Sequence, residues 1–452
     1  MGAADSSGTQ AFTTKGLATR ERILRAAAEV ILSEGLTGFS NEKVRQAASV
    51  SGSQLSHYFD DRQSLIRAVL ERQIEVVLDF HRQPALHGLD TFTDWEHWAD
   101  LNMRYLRKIG YRSTPTYHTL AGQLAKSDDE TRRTFANGYW RWVDLLTESF
   151  QRMKDRGVLV SAAEPRQLAL VVVAGHQGAG TLAFAYRQSW PLADMTRFIV
   201  NYLRLFAVDP AERVPRPPRR RRRRPVDPAA DTEPGDARYT SKGMATRARI
   251  VDGAAELILQ RGVRGTSLID VRRHVGVSGS QLSHYFTDKH DLTRQVIAAR
   301  RRCVEEFHTQ PELRRLDTLP ALRRWAELCW QESGSCYLEN GCVYGSLAGE
   351  LLEADDLLLD DLAVGYDRWL QLFEDGLTAM RASGELCPDA HPRHLAVALV
   401  GAHQGGTMLT HMTKSADPFR AVVDAAVDYV ASFQPVPRKR AVRKVSRSKA
   451  KR

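Results

Sequence analysis

The stretch V-S-G-S-Q-L-S-H-Y-F occupies Val50 to Phe59 and recurs unchanged at Val277 to Phe286, 227 residues later. The same offset aligns Thr19 with Thr246, Gly35 with Gly262, His81 with His308, Trp98 with Trp325 and Trp142 with Trp369. It also brings His176-Gln177-Gly178 onto His403-Gln404-Gly405 and Tyr202 onto Tyr429. A period this long is not that of a solenoid, so the chain reads as two copies of one domain, each with its own core. Ten identical residues sit beside flanks that differ freely, such as Thr37-Gly38-Phe39 against Arg264-Gly265-Thr266. The identity implies that both copies touch the same kind of surface.

Working outward, Leu17, Ile23, Leu24, Ala27, Val30 and Ile31 recur at helical spacing and end at Gly35, with Met244, Ile250, Ala254, Leu257 and Ile258 ending at Gly262 in the second copy. Phe39, Val44 and Ala47 predict a short second helix with Ser40 as its N-cap. After a turn through Ser49 and Val50, Ser51 can cap a third helix, anchored by Leu55 and Phe59 four residues apart. Gln54, Ser56, His57 and Tyr58 lie between the anchors and face outward. Helix, short helix, tight turn and short polar helix predict a helix-turn-helix, whose second element enters a DNA major groove.

Thr19 to Leu65 and Thr246 to Leu292 resemble the TetR family of bacterial transcriptional regulators. The likeness rests on the Thr19-Arg20 and Thr246-Arg247 starts, the Val-Ser-x-x-x-Leu-x-x-Tyr-Phe helix, and the following basic residue, Arg62 or Lys289. It covers about fifty residues per copy. Gly52 and Ser56 depart from residues common there, so base preferences do not carry over. The resemblance implies an all-α fold in which each head precedes a helical body that binds a ligand and dimerises through its last two helices. It also implies repression relieved or tuned by a small apolar ligand.

The chemistry of reading DNA assigns roles within the heads. Gln54 and Gln281 can pair with adenine N6 and N7, and Ser53, Ser56 and His57, with Ser280, Ser283 and His284, can serve base edges or phosphate. Thr19, Tyr58 and Arg62, with Thr246, Tyr285 and Lys289, suit phosphate oxygens, and Arg20, Arg247, Ser51 and Ser278 belong to the same surface. His176, Gln177, His403 and Gln404 lie in small-residue runs that let helices approach closely, and are expected at the contact between the copies. Body aromatics at helical spacing, Trp95, Trp98, Tyr105, Tyr117, Phe135 and Trp140 with Trp325, Trp330, Tyr337, Tyr344 and Trp369, read mainly as core. Asn340 to Leu347 resembles the family's segment before a pocket-lining helix; Ser113 to Leu120 replaces it in the first copy, so the bodies have diverged more than the heads.

The 452 residues carry a net charge of +10, yet residues 210–225 alone hold eight Arg against one Glu, and residues 436–452 hold nine Lys or Arg and no acid. The rest of the chain is therefore acidic, and the basicity sits where it adds nonspecific attraction to a polyanion. The polar N-terminus is not that of a signal peptide, and no uninterrupted apolar run is long enough to span a bilayer, so a cytoplasmic, nucleoid-associated protein is expected. All five cysteines lie in the second copy and read as buried free thiols. No nucleophile with an adjacent base, phosphate-cradling loop or metal spacing occurs in both copies, so no enzyme activity, cofactor or metal is expected.

The expected organisation is a disordered arm (1–14), a head (15–64), a body (65–208), an Arg/Pro-rich linker (209–241), a second head (242–291), a second body (292–435) and a basic tail (436–452). The expected function is regulation at a near-palindromic double-stranded DNA operator by an intramolecular pseudo-dimer, with further homodimerisation open. The alternative is an architectural DNA-binding protein without an effector.

Overall fold

The computed structural model describes residues 12–110, 116–124, 127–218, 239–313, 315–351 and 356–435. Among them the chain is helical, with one isolated bridge, Leu159 to Ala207, and no named strand. The first copy contributes α1 (Thr14–Gly38), α2 (Asn41–Ala48), α3 (Gly52–Tyr58), α4 (Arg62–Arg82), α5 (Phe92–Ile109), α6 (Tyr117–Leu124), α7 (Asp129–Asp155), α8 (Pro165–Tyr186) and α9 (Trp190–Arg204). The second repeats the order: α10 (Ser241–Arg261), α11 (Leu268–Val275), α12 (Gly279–Tyr285), α13 (Lys289–Thr309), α14 (Leu319–Asn340), α15 (Gly345–Glu350), α16 (Asp356–Ala382), α17 (Pro392–Thr413) and α18 (Asp417–Ala431).

The heads form as their caps dictate. Ser40 accepts from Lys43 N–H (3.3 Å) and Ser51 from Gln54 N–H (3.1 Å), satisfying donors that a helix start leaves unpaired. α1 breaks its helical dihedrals at Gly35 (φ 65°), and α10 ends against Gly262 (φ 79°). Leu55 and Phe59 are buried against the first two helices. α1 begins earlier than Leu17, because Thr13 caps it and Phe12 before the cap is packed rather than free.

Each body repeats one hydrogen-bonded node on a buried histidine. His81 Nδ1 donates to Val77 carbonyl (2.7 Å), so its Nε2 is free to accept from the indole N–H groups of Trp98 (3.1 Å) and Trp142 (3.3 Å). His308 does the same with Val304, Trp325 and Trp369. Burial pushes both imidazoles down to about 4, which keeps them neutral and able to accept. A second repeated node runs through Tyr117, whose hydroxyl reaches Phe135 carbonyl (2.7 Å) across Gly138; Tyr344 reaches Leu362 (2.8 Å) across Gly365.

The copies meet where α8 crosses α17, with α9 and α18 alongside. At the crossing Gly178 faces the backbone of Gly401 and Gly405, and Gly405 faces the backbone of Ala174 and Gly178. The contact is reciprocal: 174 and 401, and 178 and 405, are equivalent positions. Gly122 and Gly349, also equivalent, abut backbone to backbone. Around this seam Asn201 donates to Tyr429 Oη (2.9 Å), Tyr186 to Asp367 (2.9 Å), and Arg187 pairs with Asp360.

Among the described residues α8 alone is long enough and on average apolar enough to cross a membrane, although His176 and Gln177 interrupt its apolar run; nearly all of that window is buried inside the protein. The linker also begins in fixed positions. Arg216 exchanges two backbone hydrogen bonds with the Asn201 amide (2.8 and 3.0 Å) and pairs with Glu96 (3.1 Å). Composition missed these partners; the six-Arg run at 219–224 and the basic tail lie outside the described residues.

A Cβ at Gly178 would fall inside the van der Waals contact of a backbone carbonyl, which cannot yield as a side chain can, whereas one at Gly52 meets nothing within 4 Å. Gly178→Ala is expected to lower unfolding stability by about 1–3 kcal/mol, the overpacking range. Gly52→Ala is expected to leave it unchanged. Denaturant unfolding followed by circular dichroism checks both.

Candidate nucleic-acid interface

The helix-turn-helix geometry presents the repeated decapeptide as sequence reasoning expected, with Ser53, Gln54, Ser56 and His57 exposed on α3 and Ser280, Gln281, Ser283 and His284 exposed on α12. Several partners differ from expectation. Gln54 Oε1 accepts from Ser51 N–H (3.0 Å) while Ser51 Oγ accepts from Gln54 N–H, a capping box that Ser278 and Gln281 repeat (2.9 Å). The amide oxygen that would take an adenine N6 proton is thus engaged in the cap, while the exposed side chain keeps its Nε2–H donors. Ser51 and Ser53 hydroxyls share a hydrogen bond (2.9 Å), as do Ser278 and Ser280 (3.0 Å).

The proposed phosphate contacts divide. Thr19 and Thr246 donate their hydroxyl hydrogens to Lys15 and Lys242 carbonyls (both 3.0 Å), leaving no hydroxyl proton for a phosphate. Arg62 donates to Leu36 carbonyl and lies 5.5 Å over the Phe39 ring, so it braces α4 against the end of α1. Lys289 is half-buried, and burial with nearby Arg264 holds its ammonium below the usual range. Arg20 lies 5.4 Å over Phe59, and Arg247 lies 5.8 Å over Phe286 and donates to Gln295 (2.6 Å). These cations pack the head against its own aromatic residues.

Tyr58 and Tyr285 bridge two elements. Each hydroxyl lies 3.4 Å from the Cβ position of Gly16 or Gly243 at the start of α1 or α10, and each ring meets an aromatic residue just before that helix, Phe12 at 5.1 Å or Tyr239 at 5.2 Å. Sequence reasoning missed this clamp, although Phe12 and Tyr239 obey the 227-residue offset. It also missed the exposed Lys15 and Lys242 on the same helix starts, and exposed Arg272, whose guanidinium lies near Gly279 of α12. The two heads touch: Arg264 donates to Ser33 carbonyl.

His176 and His403 lie on the crossing helices but turn into their own bodies. His176 donates to Asn102 Oδ1 (2.9 Å), and His403 Nε2 pairs with Tyr337 hydroxyl (2.9 Å). Gln177 accepts from Tyr139 hydroxyl (3.2 Å) and Gln404 from Tyr366 hydroxyl (3.0 Å), again within each copy. Glycines beside them make the crossing, because only a missing side chain permits backbone contact.

Each body holds a partly open cavity of about 180 Å³. The first is bordered by Val76, Tyr105, Ile109, Trp142, His176 and Phe184. Of the aromatic residues read as core, Trp95, Trp98, Phe135, Trp325, Tyr344 and Trp369 are fully buried, whereas Tyr105 is exposed; Tyr105, Tyr117, Tyr337 and Trp369 border these cavities.

Residues 250–296 match the family profile described as bacterial regulatory proteins, tetR family, and residues 318–426 match that of the tetracyclin repressor-like C-terminal domain. Both matches lie in the second copy, whose head and body are thus similar to the TetR family. The matched head is similar to those of bacterial regulatory proteins. Similar solved structures include regulatory protein TetR from Rhodobacter sphaeroides (19% identity, 41% of this chain and 98% of that one, TM-score 0.37) and a TetR-family regulator from Cytophaga hutchinsonii (18%, 43% and 98%, 0.40). A TetR-family regulator from Rhodococcus sp. is 22% identical over 42% of this chain and 99% of that one, with TM-score 0.35. No curated protein matches the chain.

The capping role of Gln54 is separable from the base-contacting role expected of it. Gln54→Glu with Gln281→Glu keeps the capping oxygen and replaces the Nε2–H donors by negative charge. Stability is expected to hold while affinity for duplex DNA falls at least about tenfold. Gln54→Ala should instead lose about 0.5–2 kcal/mol of stability with its capping contact. Paired melting and DNA titration separate these outcomes.

Proposed function

We propose that the chain represses transcription as an intramolecular pseudo-dimer, its two heads reading the half-sites of one near-palindromic operator. The reciprocal glycine crossing of α8 and α17 carries this reading, because equivalent residues exchanging the same contacts are the signature of a two-fold interface. Two identical recognition sequences joined across such an interface fit half-sites about one helical turn, ~34–36 Å, apart or a multiple of it. The domain boundaries of the sequence reading, two heads and two bodies with a linker between, belong to this proposal. Exposed Ser53, Ser56 and His57, the Gln54 Nε2–H, and Lys15 are its DNA-facing groups in the first head, with their equivalents in the second.

The first cavity is proposed to take a small, mainly apolar effector. Its walls are largely hydrocarbon and aromatic, and His176 Nδ1 is buried there without a partner among the described residues, a single acceptor for a ligand's hydrogen-bond donor. Phe184 borders this cavity, stacks on His118 (5.6 Å), and packs against Leu32 of α1. A ligand that displaces Phe184 therefore pushes on the head.

Gln54→Glu with His57→Ala in the first copy alone tests the paired heads. Operator affinity is expected to fall about a hundredfold or more towards the nonspecific level. Retained affinity would mean that the heads act singly, and equal wild-type affinity for operator and random duplex would mark an architectural binder.

A further inference from the structure

Cys303, Cys329, Cys336 and Cys342 all border the second cavity, together with Tyr337 and His403. Their equivalents in the first copy are Val76, Asn102, Ile109 and Pro115, and the first three of these border the first cavity. The two spaces thus share a place in the fold and differ in chemistry. Four of five cysteines open on one of them, and all are free thiols.

The nitrogen donors around this cavity are already in use. His308 Nε2 accepts from two indoles, and His403 Nδ1 accepts from Gln404 Nε2 (3.3 Å) while its Nε2–H donates to Tyr337 hydroxyl (2.9 Å). The sulfurs, by contrast, receive hydrogen-bond donors that favour a thiolate. Cys342 Sγ accepts from Gly345 N–H (3.4 Å) and Gln404 Nε2 (3.7 Å), and Tyr337 supports Cys329. Cys329 and Cys336 both lie close enough for the charge of Cys342 to act on them, and of these two Cys329 is the fully buried one. Among the described residues no group of three or more His, Cys, Asp or Glu could hold a metal ion, so a four-coordinate zinc site does not fit.

We propose that the second cavity is a dithiol site in which Cys329 and Cys342 hold one soft metal ion of low coordination number. Soft thiolates select such ions, and two thiolates neutralise a divalent one, giving an uncharged complex suited to a buried space. On binding, two S–H bonds break, two sulfur–metal bonds form and both protons leave to solvent, with no change of oxidation state. The inference deepens the effector-responsive reading by giving the second body a ligand class of its own, and its test requires no DNA.

The test titrates the reduced full-length chain with mercuric ion against excess 2-mercaptoethanol, followed by near-ultraviolet sulfur-to-metal absorbance and intact-protein mass. One competitor-resistant ion per chain is expected, the two protein thiol protons passing to the two 2-mercaptoethanol thiolates that the ion gives up. Cys303→Ser with Cys387→Ser should keep it. Cys329→Ser and Cys342→Ser should each weaken binding about a hundredfold, the loss of an intramolecular second ligand. Should those variants fail to fold, alkylation of the native wild type decides: bound ion should protect Cys329 and Cys342, mapped by peptide mass. Competitor-resistant binding that survives in the folded Cys329 and Cys342 variants, loss of the wild-type ion to the monothiol, or alkylation of both thiols despite bound ion would overturn the proposal. None of these results bears on whether paired heads read an operator.

Discussion

Backbone touching backbone at Gly178 and Gly405 is the constraint on which the rest of the arrangement depends. Helices approach this closely only where side chains are missing, and both copies supply the glycine at the same position. Reciprocity follows: whatever one helix offers the other returns, as between the two subunits of a symmetric dimer. The flanking contacts, Asn201 with Tyr429 and Arg187 with Asp360, lie alongside that seam. In the proposed function the same seam sets the separation and orientation of two recognition helices, so the register on DNA is fixed far from the DNA.

Duplication also shows which parts of a copy resist change. The His81 and His308 nodes keep the same tautomer, the same two indole donors and the same backbone partner, because a buried neutral imidazole satisfied on both nitrogens leaves little room for substitution. A few ångströms away the cavity walls have parted. Asn102 bonds His176 in one body, whereas Tyr337 bonds His403 in the other and Cys329 stands in Asn102's place. One copy keeps an apolar chamber and the other a sulfur-lined one, on an otherwise common frame.

Much of this was legible in the chain itself. Helical periodicity located the head helices, and Ser40 and Ser51 marked the caps of α2 and α3, because such signals are local. The exposed face of α3 followed from the Leu55 and Phe59 anchors. What escaped were choices made by tertiary packing: Gln54 turning its oxygen to Ser51, Arg62 reaching Leu36 carbonyl, and His176 rotating into its own body instead of towards the partner helix. Sequence spacing fixes the helix on which a side chain sits but not which of several partners its rotamer selects. Reading the cysteines as free thiols left open where they point, since their convergence depends on how α13, α14 and the turn before α15 pack.

The central claim is that one chain supplies both heads of a single operator complex. Light scattering of the full-length protein, free and on a palindromic duplex selected for tight binding, tests it most directly. The account predicts one chain per duplex at saturation. Two chains per duplex as the smallest stable complex would contradict it, by showing that the heads are paired between chains and that the glycine crossing does not replace dimerisation.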